Sequence, residues 1–139
     1  MTDRPNILLI MTDEQRFDGV GYVNSVVKTP NLDKLTEDSV VFERAYSSNP
    51  SCIPARAAIY TGKYPSQCGA PTYISYLDES EVTFHSRLQQ EGYYTSVVGK
   101  QHFGDTDIDK GYNHEDIIDI HGLNLNTDNS YSNYLKQEG

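Results

Sequence analysis

Apolar and polar positions follow one another along this chain in blocks that predict strands alternating with helices. The apolar run Ile7–Met11 predicts a strand buried on both faces, because such strands are continuously apolar. Aromatic and β-branched residues predict a second buried strand over Tyr93–Val98. Shorter apolar groups predict a brief strand at Val40–Phe42 and one more in the segment 117–120.

Helix start and stop signals lie between these apolar runs. Thr29 followed by proline predicts a helix start, since proline suits the first helical turn. The segment Pro54–Tyr60 is rich in helix formers and predicts a second helix that ends at Gly62. Val82–Glu91 predicts a third helix, with a glycine directly after it.

The order of these elements predicts an α/β fold with parallel strands and crossover connections. Ligands of such sheets bind beyond the carboxyl ends of the strands. Asp13 follows the first strand, and Lys100 and His102 follow the strand at 93–98. The helix that starts near Cys52 can present its N-terminus to the same edge. We therefore expect these separated residues to converge on one site.

Composition excludes several classes of partner. The 139 residues suit one domain, and 11 basic against 20 acidic residues give a net charge of −9. This charge argues against nucleic acid or an anionic membrane as the main partner. No run approaches the roughly 20 apolar residues of a membrane span, and no export signal is visible. We expect a cytoplasmic protein, or a periplasmic or secreted one if a signal was removed, with a domain boundary near Asp105.

Cys52 is the first candidate for chemistry. It precedes a predicted helix start, where unpaired N–H groups and the helix dipole favour an anion. Arg56 lies about one turn later and adds a permanent cation, so we expect a lowered pKa for the Cys52 thiol. The alternative is an inert cysteine buried at a helix start. The only other cysteine is Cys68, so the chain has no disulfide framework.

Two further clusters have both a functional and a structural interpretation. Asp13 and Glu14 offer carboxylate oxygens of the kind that hard cations bind, or they are solvated acids at a loop start. Lys100 supplies a charge suited to a sulfuryl or phosphoryl oxygen, and His102 can move a proton. Alternatively, this pair lies in an ordinary surface turn flanked by glycine.

Three segments together resemble the sulfatase family. The segment Cys52–Lys63 contains Cys-x-Pro-x-Arg and resembles the family signature, whose cysteine is oxidised to formylglycine. Asn6–Arg16 resembles the family's opening strand and metal-binding turn, and Gly99–Gly104 resembles its second signature. The resemblance implies an alkaline-phosphatase-like α/β sandwich of a mostly parallel sheet between helices. It further implies that residues 1–139 are the N-terminal part of a sulfatase catalytic domain. The polar composition of 105–139 separately predicts a loose segment there.

The resemblance also assigns roles to the metal-binding residues. Asp13, Glu14 and position 52 would bind a divalent metal, with Ca²⁺ expected and Mg²⁺ or Mn²⁺ as alternatives. Glu14 departs from the family's usual Asp or Gln at this turn, so it either binds through its longer arm or lies behind the ligands. Family members draw further metal ligands from later segments, so we expect this chain alone to be inactive.

The reaction that the resemblance implies is hydrolysis of a sulfate ester. The hydrated formylglycine at position 52 attacks sulfur, and its second hydroxyl then allows sulfate to leave. Arg56 holds the diol, Lys100 neutralises charge on the sulfate oxygens, and His102 assists deprotonation.

The implied partners are a small-molecule or carbohydrate sulfate ester and a formylglycine-generating maturation enzyme. Two rival functions remain open. One is phosphonate or phosphate monoester hydrolysis by the same nucleophile, and the other is a non-catalytic binding or structural fragment.

Overall fold

The computed structural model describes residues 4–102, 111–117, 133–134 and 137. The chain divides into two compact units, Met1–Ala45 and Tyr46–Gly139. The boundary expected near Asp105 and the apolar residues Ile118 and Ile120 lie outside the described residues. Among the helices in the described part of the chain, none is both long and apolar enough to cross a membrane.

The first unit contains one helix, α1 (Pro30–Glu37), which starts with proline as predicted. Thr29 precedes the helix, but its hydroxyl does not cap the helix N-terminus. It accepts from the Gly21 N–H at 2.7 Å and donates to the Asp33 carboxylate at 2.8 Å. The Asp33 carboxylate also accepts from the Tyr22 N–H at 3.1 Å. These bonds tie the preceding loop to the first turns of α1.

The two strands predicted in the first unit are wrong for this structure. The residues over Ile7–Met11 and Val40–Phe42 adopt neither helix nor strand. The run at 7–11 is solvent-facing rather than buried, with Leu8 85% exposed and Ile10 80% exposed. A strand requires a hydrogen-bonded neighbour, and none pairs with either segment among the residues that the structure describes. An apolar run shows only that its residues prefer a strand; the segment that pairs with it has to come from elsewhere in the sequence.

The second unit begins with α2 (Cys52–Thr61), which confirms the predicted helix. Ser51 occupies the N-cap position, so Cys52 is the first helical residue rather than the residue ahead of the helix. Gly62 ends the helix in the left-handed conformation with φ of 69°, and its N–H donates to the Ala58 carbonyl at 2.9 Å. Glycine adopts this conformation without the penalty that a Cβ imposes, which explains the predicted stop.

Two strands complete the second unit and confirm the parallel arrangement. β1 (Ser96–Gly99) pairs in parallel with β2 (His114–Ile117), with Ser96 opposite His114. The prediction of a buried strand over Tyr93–Val98 is wrong in its burial, because Val98 in β1 is exposed. Ser96 and Val98, which share one face of β1, are exposed, whereas Val97 and Gly99 on the other face are half-buried, so one face of β1 remains in solvent.

The core of the second unit forms around α2. This helix packs against the short 3-10 helix Pro65–Gln67 and against α3 (Phe84–Gln90), which confirms the third predicted helix. Small and apolar side chains from α2 and from the loop after it fill the space between these elements. The buried apolar residues are Ile53, Ala57, Tyr60, Cys68, Ala70 and Leu77.

Thr83 caps α3, and we expect its hydroxyl to contribute measurably to the free energy of unfolding. The side chain is fully buried and accepts from the Ser86 N–H at 3.2 Å. Thr83→Val keeps the volume but leaves that buried N–H without its cap, so we expect a loss of about 1 to 2 kcal/mol in unfolding free energy. Urea denaturation measures this loss. The control is Thr36→Val, whose hydroxyl only bonds back within α1; an equal loss there would contradict the capping role.

Candidate functional site

Arg56 joins the two signature segments of the second unit. Its side chain is buried, and Nη1 donates to the Lys100 carbonyl at 2.6 Å and to the Tyr60 hydroxyl at 3.4 Å. Arg56 lies on α2, whereas Lys100 directly follows β1. The guanidinium therefore holds the residue that directly follows β1 against α2.

Cys52 lies one helical turn before Arg56. Residues four apart in an α-helix share a face, so the thiol and the guanidinium lie on the same side of α2. Cys52 is half-buried at the helix N-terminus, where the dipole favours negative charge. Cys68, in contrast, is fully buried, and its Sγ lies 3.6 Å from the Pro65 carbonyl oxygen. Of the two thiols, only Cys52 lies at a position suited to chemistry.

The turn after β1 has an unusual backbone. Gly99 has φ of 100°, and His102 has φ of 60°, in the left-handed region that side chains rarely adopt. His102 is only 2% exposed, and the ring of Tyr73 meets its ring nearly edge-on, with centroids 5.6 Å apart. Such conformations cost about 1 to 3 kcal/mol and persist only where the surroundings enforce them.

Gln101 connects this turn to the rest of the unit. It is 4% exposed, and its Oε1 accepts from the Tyr112 hydroxyl at 2.7 Å. Its Nε2 lies 3.4 Å from the Lys100 carbonyl, the same oxygen that receives Arg56. The Tyr112 hydroxyl also lies 3.0 to 3.1 Å from the ring nitrogens of His85 on α3.

His85 is a buried histidine in an aromatic environment. Its ring packs against Tyr60, Phe84 and Tyr112, with centroids 4.9, 3.8 and 4.5 Å away. Burial lowers the pKa of His85 to about 4, so the ring is neutral at pH 7. Burial also raises the pKa of the Tyr112 hydroxyl, and Tyr60 and Glu115 contribute to that rise.

The lowered pKa of His85 predicts a loss of stability in mild acid. The unfolded chain binds a proton at this residue below about pH 6.5, whereas the folded chain does so only near pH 4. Stability from this group is therefore complete above pH 6.5 and falls as the pH drops toward 4. We expect urea midpoints of the chain to decline over this interval. The decline should be smaller in His85→Gln, and parallel curves for the two proteins would contradict the prediction.

The proposed metal ligands Asp13 and Glu14 lie in the first unit. Both are exposed, and Glu14 has φ of 51°, in the same rare region as His102. No cluster of three or more potential ligating side chains occurs within residues 4–102 and 111–117. These two carboxylates fit the oxygen chemistry of calcium but supply only part of its coordination shell. Their proximity to Cys52 stays a prediction.

The structure thus brings Arg56 against the Lys100 carbonyl, with Cys52 one turn earlier on α2 and His102 two residues after Lys100. That the side chains of Cys52, Lys100 and His102 meet stays a prediction. Sequence patterns did not predict that Gln101, Tyr112 and Tyr73 support the turn after β1. The glycine before Tyr112 was the available signal, since glycine is typical of a turn. The contact of Tyr73 with His102 has no comparable signal in the sequence.

Comparison with known proteins decides the family. The Sulfatase family model matches residues 5–138. The chain belongs to the sulfatase family. An N-acetylglucosamine-6-O-sulfatase from Bacteroides thetaiotaomicron is 33% identical over 118 residues, which cover 84% of this chain and 21% of that relative. This sulfatase chain spans about a fifth of the length of the curated relatives it matches.

Solved structures agree with this family and fold. A protein solved in complex with its substrate D-glucosamine-2-N,6-O-disulfate is 32% identical, with a TM-score of 0.75 over 81% of this chain and 23% of that one. The phosphonate monoester hydrolase of Agrobacterium radiobacter is 26% identical, with a TM-score of 0.76 over 98% of this chain and 29% of that one. The sulfatase chain therefore has an α/β fold of the alkaline-phosphatase-like superfamily.

Proposed function

We propose that this sulfatase chain forms the N-terminal part of a catalytic domain that hydrolyses sulfate esters. The observation that carries the proposal is the bond from Arg56 to the Lys100 carbonyl. It brings the segment containing Cys52 and the segment containing His102 into one assembly. The rival function of a non-catalytic fragment does not require these two segments to be joined by a buried cation.

Each residue of this assembly takes a role that its position supports. Cys52 is the residue that a formylglycine-generating enzyme would oxidise, and the hydrated aldehyde would supply the attacking oxygen. The N-terminus of α2 and the Lys100 ammonium favour the negative charge of a bound sulfate group. Arg56 holds the turn in place, and His102 moves a proton at the nucleophile.

Asp13 and Glu14 would hold a divalent cation, with calcium as the proposed ion and magnesium or manganese as alternatives. Such a cation would lower the pKa of a bound hydroxyl and offset charge on the sulfate. The remaining ligands would come from outside the residues described.

The proposed substrate class is a carbohydrate sulfate ester. Two of the similar proteins support it: one is named for N-acetylglucosamine-6-O-sulfate chemistry, and one was solved with a sulfated glucosamine as its substrate. Their match to this chain includes the segment containing Cys52, which would bind the sulfate group rather than the sugar. Recognition of the sugar would then depend on the loops around that segment.

A chimera tests the proposal. The matching segment of the Bacteroides thetaiotaomicron sulfatase is replaced by this chain, and the product is expressed with a formylglycine-generating enzyme. We expect release of sulfate from N-acetylglucosamine-6-sulfate and from an aryl sulfate, and loss of this release on calcium chelation. Mass spectrometry of the peptide containing position 52 reports conversion of the thiol to the aldehyde.

The matched control is the chimera with Cys52→Ala, which should fold equally well and release no sulfate. A folded, converted chimera no more active than this control would refute the proposal. Faster turnover of an aryl phosphonate than of the aryl sulfate would favour the phosphonate hydrolase alternative instead.

A further inference from the structure

A buried row of hydrogen bonds runs from α3 to the turn after β1. Its members are His85, Tyr112, Gln101 and the Lys100 carbonyl, with Arg56 at the far end. His85, Gln101 and Arg56 are all buried, so their polar groups depend on partners within the protein. Of the four links, only the one from Gln101 to Lys100 joins sequence neighbours.

The direction of these bonds follows from the number of hydrogens available. A tyrosine hydroxyl carries one hydrogen, and Tyr112 donates it to the Gln101 Oε1 at 2.7 Å. The Tyr112 oxygen is then left to accept from His85. His85 is neutral at pH 7 and retains one ring N–H for that purpose. With its oxygen held this way, the Gln101 amide turns its N–H₂ group toward the Lys100 carbonyl.

This row ends beside a non-glycine residue with positive φ, the one that the described part of the second unit contains. His102 directly follows Gln101 and holds φ of 60° despite carrying a bulky side chain. That conformation costs about 1 to 2 kcal/mol for a non-glycine residue, so a neighbouring interaction must offset the cost. The fixed Gln101 side chain and the fixed Lys100 carbonyl both lie directly before His102 in the chain.

We propose that Gln101, oriented by the Tyr112 hydroxyl, is a positioning residue that holds the Lys100–His102 turn in its strained conformation. This inference rests on the proposed function, in which Lys100 and His102 act on the sulfate group. Gln101 and Tyr112 touch no reacting atom. They set the backbone from which both acting side chains extend, and His85 completes the support from α3.

Nuclear magnetic resonance of the isotopically labelled 139-residue chain tests this role. A residue with positive φ gives a strong intraresidue Overhauser effect between its amide and α protons, whereas helical and extended residues give weaker ones. We expect the strong signal at His102 in the unchanged chain. Tyr112→Phe keeps the ring and removes only the hydroxyl, and Gln101→Met keeps the side-chain length and removes the amide. Each should reduce the His102 signal to the level of residues in α2.

Additional variants separate positioning from general stability. Tyr94→Phe removes the same hydroxyl from a tyrosine that is 76% exposed, and it should leave the His102 signal unchanged. The double variant of Gln101 and Tyr112 should lose no more of the signal than either single one, since both act through one bond. Amide shifts of α2 and α3 report whether each variant is folded.

A Tyr112→Phe chain that remains folded and keeps the strong His102 signal would overturn the proposal, whatever Gln101→Met does to folding. Absence of the strong signal in the unchanged chain would overturn it too. The measurement needs neither metal nor formylglycine, so its failure leaves the sulfatase proposal standing. Failure of the chimera to release sulfate would equally leave this result in place.

Discussion

Cys52→Ser in the chimera is expected to stop turnover while trapping the sulfuryl group on the protein. A serine hydroxyl at the N-terminus of α2 can attack sulfur, but the resulting sulfate ester has no second hydroxyl to expel the sulfate. We expect steady-state sulfate release to fall by about 10⁴-fold or more, as loss of a nucleophile typically does. Mass spectrometry should show one added sulfuryl group on the peptide containing position 52.

Cys52→Ala is the matched control, because it removes the nucleophile without offering another. It should be equally slow and gain no mass. If Cys52→Ser retains more than a few per cent of the turnover, or if Cys52→Ala does, the nucleophile comes from elsewhere in the protein. Omission of the maturation enzyme should give a third inactive protein, one that carries an unmodified thiol.

Gly111→Ala is expected to be the most destabilising single substitution among those considered. Gly111 has φ of 72°, and a Cβ there would clash with the Ser86 Cα and the Ser86 backbone nitrogen. These are backbone atoms of α3, so the clash can be relieved only by moving the helix. The left-handed penalty of about 1 to 2 kcal/mol adds to an overpacking cost of about 1 to 3 kcal/mol. Together they remove a large share of a typical domain's stability.

Gly62→Ala separates the left-handed backbone penalty from the cost of the clash. Gly62 has φ of 69°, nearly the same as Gly111, but nothing lies within 4 Å of the Cβ it would gain. It should lose only the left-handed penalty of about 1 to 2 kcal/mol. Urea denaturation of both variants measures the difference, which is the cost of the clash. Equal losses would mean that the turn at Gly111 moves away from α3 without resistance.

Helices could be predicted from this sequence because their signals are local. The proline at the start of α1, the run after Pro54 and the glycine after α2 each act within a few residues. Strands were predicted less well, since an apolar run such as 7–11 becomes a strand only when another segment pairs with it. The sequence records the preference of the run but not the presence of its partner.

In the candidate site, too, local geometry could be predicted from the sequence, whereas contacts between distant segments could not. Cys52 and Arg56 are one helical turn apart, so their shared face is determined by helix geometry alone. The approach of Arg56 to Lys100 was expected from the meeting of strand ends and helix start, although its acceptor is a carbonyl rather than an anion. The contact between Tyr112 and His85 joins residues 27 positions apart and depends on how α3 packs, which no local pattern encodes.

The contrast between the two cysteines gives the chain a built-in reporter of its own folding. A maleimide added to the native protein before any conversion to formylglycine should label one thiol, at position 52, because Cys68 is fully enclosed. In denaturant the same reagent should label two. The ratio of singly to doubly labelled chains would then count native molecules directly in a crude lysate, without any assay of catalysis.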